Sequence, residues 1–254
     1  MNTRKLLIKL SRYYPHSLAE SFDHVGLMEG KLPYETQKIL LCLDFDDEVY
    51  PFAIKENPDL IITHHPFLFG TKMAVLNSDP VKKALYDKML LTNMPIVSYH
   101  TNFDNGNPGM NDELALRLGL LNVKTLETEH MARGGFLPCP MEIHEFARYA
   151  KEKLGVAYGL LIPAGKQTIR SVAIIGGGGA RSYLNAMNEG YDIFVSGDAP
   201  HHVRREIILN HYSYLDLPHE IEHAFMGRME KTLKVIDPTL TIIKVDHEKL
   251  PEVI

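Results

Sequence analysis

The sequence predicts an α/β protein with two α/β lobes, whose mixed, largely parallel sheets face a common cleft. Three observations lead there. Unbroken apolar runs at 38–44, 59–63 and 192–198 suit strands covered on both faces, not strands with one wet side. Segments of helical period alternate with those runs, and a strand–helix–strand order implies parallel pairing through right-handed crossovers. The rhythm occurs in both halves of the 254 residues, enough chain for two small domains, although no sequence repeat is evident. The expected division is 1–126 and 127–254, with the last strand free to pack back on the first lobe.

Taken in order, residues 3–12 place Leu6, Leu7 and Leu10 at helical spacing, and Pro15 ends that helix. Residues 23–27 turn into a short strand. The run 38–44 is the first buried strand, 48–55 a short helix and 59–63 the next strand, which completes one βαβ unit. Asp79 is an N-cap candidate, with Pro80 at the first position of a helix to 91. Residues 95–100 form a third strand ending in His100, and a helix covers 111–118. In the second half, 134–138 is a short strand and 141–154 a helix with Ile143, Phe146, Ala147, Ala150 and Leu154 on one face. Strands at 159–162 and 171–175 follow, then four glycines, 176–179, and a helix over 180–189. The strand 192–198 leads through Pro200 into a helix, 212–216 is a strand, 219–233 a helix and 240–245 the last strand.

Composition narrows the function. Apolar residues at 45% and charged residues at 23% are ordinary for a soluble globular chain. A net charge of -5 argues against a nucleic-acid surface, which needs a basic stripe. Cys42 and Cys139 lie far apart and make no CxxC pair, so a reducing, cytoplasmic compartment is expected. No signal-peptide pattern follows Met1, and no apolar run is long enough to span a membrane. The 13 histidines are more than expected, and several cluster.

The sharpest cluster is Ile61-Ile62-Thr63-His64-His65-Pro66. An apolar strand delivers two imidazoles to its C-terminal end, where ligands gather in open α/β sheets, and Pro66 restricts His65. Alternation along a strand points neighbouring side chains to opposite faces, so the two rings would meet two ions, or one ion and one substrate. An inert, hydrogen-bonded pair is the plain alternative. Three more strand ends add donors: His100 with Asp104, Asp198 with His201 and His202, and the stretch 216–223. Imidazole with carboxylate suits two divalent ions among Zn, Mn, Fe and Ni. Such a pair of ions activates water for hydrolysis.

Other readings compete. His219-Glu220-Ile221-Glu222-His223 matches the H-E-x-x-H of zinc peptidases, in which two histidines share a helix face and Glu220 would be the base. The glycines 176–179 suit either an anion at a helix N-terminus or a tight turn, and the turn is favoured. Asp23 and Asp44 are either partners that orient ligand histidines or turn residues, with the turn favoured for Asp44. His100 is a candidate general acid, or a hydrogen-bonding neighbour of the ligands.

In order along nearly the whole chain, these residues resemble one family, the Nif-three-like proteins, homologs of GTP cyclohydrolase I type 2. Asp23-His24-Val25-Gly26-Leu27 resembles its D-N-x-G-L, Thr63-His64-His65-Pro66 its T-H-H-P, and His100-Thr101-Asn102-Phe103-Asp104 its H-T-N-x-D. Asn111-Asp112, Ser196-Gly197-Asp198 with His201-His202, and Asp216 with His219 resemble later segments. The resemblance implies a pair of metal ions held by His64, His65, Asp104 and His219, and a homohexameric ring. It also implies a bridging glutamate four residues after His219, where this chain has His223, so that either Glu222 is brought in or His223 ligates one ion and the bridge rests on Asp104 alone. The expected function is a metal-dependent hydrolase of a nucleotide or other small molecule. Arg133, Arg181, Arg204 and Arg205 could contact phosphate, and Arg133 and His202 are the chosen substrate-binding candidates. The alternative is a metal-handling protein that stores or delivers ions without turnover.

Overall fold

The structure is a computed structural model that describes residues 1–249 and 251–252. It is a mixed α/β protein in which packing separates two compact units. The first comprises 1–107 and 225–247, and the second comprises 108–224 with the stretch from Glu248. The first unit supplies strands β1 (Gly26–Glu29), β2 (Lys38–Cys42), β3 (Leu60–Thr63) and β4 (Ile96–Ser98). The second supplies β5 (Leu121–Thr125), β6 (Arg133–Glu142), β7 (Leu160–Pro163), β8 (Thr168–Ile174), β9 (Ile193–Gly197) and β10 (Ser213–Leu217). The chain then returns to the first unit with β11 (Thr241–Lys244).

The boundary differs from the expected 1–126 and 127–254 because residues on either side of the linkers have partners that spacing does not reveal. Asn111 Oδ1 accepts from the Gly176 N–H at 2.7 Å, which ties the helix Met110–Arg117 to the second unit. The helix Ala224–Ile236 goes largely to the first, where Thr232 bonds the Tyr14 hydroxyl at 2.8 Å and the Phe225 ring lies 4.9 Å from that of Phe103.

The first sheet has the order β1-β4-β3-β2-β11, with β4, β3, β2 and β11 parallel and β1 antiparallel. Leu40, Ile61 and Ile96 from neighbouring strands join one core with Phe45, Ala53, Met89 and Val245. The second sheet has the order β5-β6-β8-β9-β10-β7, with a parallel centre of β8, β9 and β10. Its core includes Ala173, Phe194, Tyr183 and Tyr214. The all-buried central strands are the unbroken apolar runs of the sequence. In each unit, therefore, several parallel strands end on the same side, and the residues just beyond those ends gather there. Among the described residues, no helix is long and apolar enough to cross a membrane.

Candidate functional site

In the first unit the carboxyl ends of β2, β3 and β4 deliver Asp44, His64 with His65, and His100. Asp23 joins them because β1 runs antiparallel, which puts its amino end on the same side. The strand β3 stops at Thr63, so the alternation expected of His64 and His65 does not apply. Their backbone N–H groups both donate to Leu43 O, and their rings converge to 5.0 Å. The His100 ring lies 5.2 Å from His64 and 5.6 Å from His65. The ring nitrogens offered by His64, His65 and His100 lie within 4.8 Å of one another, a set that could hold a metal ion. Buried Asp104, on the short helix Thr101–Asp104, places Oδ1 3.6 Å from His64 Nε2.

The hydrogen bonds fix which nitrogen faces a ligand. His64 Nδ1 lies 2.9 Å from the Tyr99 carbonyl, which can only accept, so Nδ1 carries the proton and Nε2 the lone pair. His65 Nδ1 donates to Asp44 at 2.6 Å and His100 Nδ1 to Asp23 at 2.9 Å. Burial by itself raises the Asp44 carboxyl, but the His65 hydrogen bond and charge outweigh it and hold the group below its ordinary range. Burial likewise opposes ionisation of Asp23, and bonds from His100 and Thr101 overcome it, leaving that carboxyl well below its usual value. Both acids are thus acceptors. Asp44, read from sequence as a turn residue, is the group that orients His65. An imidazole locked through Nδ1 by a carboxylate or carbonyl is the usual arrangement of a metal ligand.

The second unit repeats the device. Asp198, at the end of β9, holds a left-handed φ of 53°, a conformation that needs outside support. Asp216 gives it, accepting from the Ala199 N–H at 3.2 Å and pairing with Arg204 at 2.9 Å. Asp198 then accepts from His219 Nδ1 at 2.6 Å, and His219 Nε2 lies 2.9 Å from Glu222 Oε2. Metal–ligand bonds of about 2.1 Å put neighbouring donor atoms about 3 Å apart, so this nitrogen and oxygen suit one ion.

The segment His219–His223 is a 3₁₀ helix, in which side chains at i and i+3 eclipse. That places Glu222, not His223, beside His219. His223 Nε2 instead approaches Glu248 at 3.4 Å, so the α-helical face that a zinc peptidase needs is not formed here. The glycine run is what admits Glu222. Gly177 has φ +59°, and a Cβ there would come within 2.3 Å of Glu222 Oε1. Spacing shows four glycines but not which side chain they make room for.

The Duf34/NIF3 (NGG1p interacting factor 3) family model matches residues 1–251. The chain belongs to the Duf34/NIF3 family. A GTP cyclohydrolase 1 type 2 homolog of Lactococcus lactis is 27% identical, over 99% of this chain and 98% of its own. A protein of the same name from Clostridium perfringens is 30% identical, over 81% and 80%. A Staphylococcus aureus hypothetical protein of solved structure shares the fold at TM-score 0.88 and 23% identity, covering 100% of this chain and 99% of its own. Reduced HcgD from Methanocaldococcus jannaschii does so at TM-score 0.79 and 24% identity, over 97% and 98%.

One substrate-binding candidate of this Duf34/NIF3 chain, Arg133, has another duty. Arg133 is buried, makes two bonds to Asp112 at 2.8 and 3.1 Å, and donates to the carbonyls of His130, Met131 and Ala132. It braces the second unit, so its guanidinium is spent inside the fold and not offered to a phosphate. His202 stands exposed on the helix His201–Leu209, 3.1 Å from Arg181.

Proposed function

We propose that this Duf34/NIF3 protein is a metal-dependent hydrolase holding two divalent ions and acting on a nucleotide or other small molecule. The ligands we assign are His64, His65 and Asp104 from the first unit and His219 and Glu222 from the second. The observation that carries the reading is that four imidazoles, those of His64, His65, His100 and His219, each have Nδ1 engaged by an acceptor. A purely structural histidine has no need of that repeated orientation, whereas a ligand does. The donor set of imidazole and carboxylate without thiolate suits Zn, Mn, Fe or Ni. When bound, such ions supply Lewis acidity and make water reactive at neutral pH.

The role of the chain's own groups follows from the tautomers. With Nδ1–H given to Asp23, His100 offers a lone pair at Nε2 and serves as a proton acceptor or a further ligand. To donate from Nε2 it must first take up a proton there, since Nδ1–H is held by Asp23. This modifies the general-acid role expected from sequence.

A second reading, metal handling without turnover, draws on the engagement of Arg133, which leaves a triphosphate with one cation fewer to meet. Elemental analysis of the purified protein and assay against a nucleotide panel decide between the two. We expect two ions per chain, hydrolysis in the wild type, and retained metal with lost hydrolysis in His100→Gln. A chain that holds metal but turns over no nucleotide would favour handling, and one that holds no metal would sink both. The hexameric ring is a further proposal, to be tested by light scattering.

A further inference from the structure

Phe22 and Phe69 are 62% and 59% exposed, yet their rings pack together with centroids 6.5 Å apart and planes tilted by 60°. The Phe69 ring also stands perpendicular to His100, at 6.1 Å. The chain goes out of its way to present them. Phe67, two residues earlier, is buried edge-on against Phe45, while Gly70 at φ +111° makes the turn that leaves Phe69 in water. Phe22 precedes Asp23, whose carboxylate accepts from Thr101 N–H, Thr101 Oγ1 and His100, so its backbone is tethered. Two tethered aromatic rings left in solvent beside a polar cluster mark a place for an apolar partner.

We propose that Phe22 and Phe69 form a stacking platform for a planar heteroaromatic ring of the substrate, and that they select for substrates carrying one. This rests on the hydrolase reading above. The neighbours choose the occupant. An aliphatic chain or a lipid surface laid on the pair would cover the polar rim of His100 without offering it a hydrogen bond. A heteroaromatic ring has apolar faces for the phenylalanines and nitrogen and oxygen atoms on its edge for the His100 imidazole.

The chain has no tryptophan, so Phe22→Trp installs a single fluorophore at the platform. The probes are guanosine and adenosine monophosphates, with ribose 5-phosphate as the base-free control. We expect saturable quenching by both nucleotides, none by ribose 5-phosphate, and a Kd about 10-fold weaker when Phe69→Leu is added. Phe52→Trp, half exposed on the helix Val49–Glu56, should not respond. Equal quenching by ribose 5-phosphate, the same response at Phe52→Trp, or no effect of Phe69→Leu would overturn the proposal. So would emission that shifts on diluting the protein alone, since a second copy would then cover the pair. Counting metal in the same samples separates the two ideas. A base-dependent response in metal-free protein sinks the metal reading alone, and bound metal with no response sinks the platform alone.

Discussion

The runs Asp59 to His65 and Asp192 to Asp198 are built alike, one in each unit. Each opens on an aspartate that staples the neighbouring parallel strand. Asp59 accepts from the N–H groups of Gln37 and Lys38, both at 2.8 Å, and Asp192 from those of Arg170 and Ser171 at 2.8 and 3.0 Å. Each continues with three apolar residues and a buried hydroxyl, Thr63 or Ser196. Six positions after its aspartate, each delivers one member of an aspartate–imidazole pair 2.6 Å long. They differ in which member. The first run supplies the imidazole, His65, and the adjacent strand end supplies Asp44. The second supplies the carboxylate, Asp198, and the adjacent strand end supplies His219. The amino ends of these strands serve the fold and the carboxyl ends the candidate site, and the oriented pair can be divided between strands either way.

Substitutions along the two runs can break this parallel. The largest effect is expected from His65→Ala, which removes a proposed ligand: bound metal, counted by elemental analysis, should drop by about one ion per chain while the fold persists by circular dichroism. Next is Asp198→Asn, which leaves His219 in place but weakens its orientation. A 10- to 100-fold loss of metal affinity in competition with a chelator is expected, and an unchanged affinity would remove Asp198 from the site.

The amino-end aspartates should behave in the opposite way. Asp192→Asn should cost about 1–3 kcal/mol in urea unfolding and leave metal content alone. Burial raises the Asp192 carboxyl, but Lys166 and the two N–H donors more than offset it, so its folded value lies below the ordinary one. The unfolded chain therefore takes up the proton first. The contribution of Asp192 is complete above the unfolded value, 3.8, and is lost as pH falls below it. Unfolding midpoints measured from pH 6 down to pH 3 should fall less steeply in Asp192→Asn than in wild type. Asp59→Asn, whose bonds are nearer water, should cost about 0.5–1.5 kcal/mol, the smallest effect of the four.

Several donors of the candidate site were legible in advance because they sit where apolar runs stop. His64 and His65 follow β3, His100 follows β4 and His219 follows β10, but the same rule picks Asp198, His201 and His202 as well, and the narrower set comes from the family resemblance. The α/β class was legible for the same reason, since doubly covered strands need continuous apolar sequence. What spacing does not encode is the pitch of a five-residue turn. His219–His223 reads equally well as α or 3₁₀, yet the choice exchanges His223 for Glu222. Nor does a residue reveal its long-range acceptor, and so Asp44 looks like a turn residue and Arg133 like an available cation. The likeness of the two runs also escapes a sequence reading. Only one of the seven aligned positions is identical, Asp59 with Asp192, and a second is alike only if hydroxyl is allowed to match hydroxyl at Thr63 and Ser196.

The return of β11 to β2 sets an order of events during synthesis. The strands of the second sheet have all been synthesised once residue 217 has been added, whereas the first sheet still awaits residues 241–244. Until then β2 leaves the ribosome with one edge uncovered, and the donors that β2 and β3 position have an unfinished scaffold. The later unit in the chain is thus the earlier one able to close, and chains truncated after residue 230 and released should resist protease across 108–217 more than across 38–100.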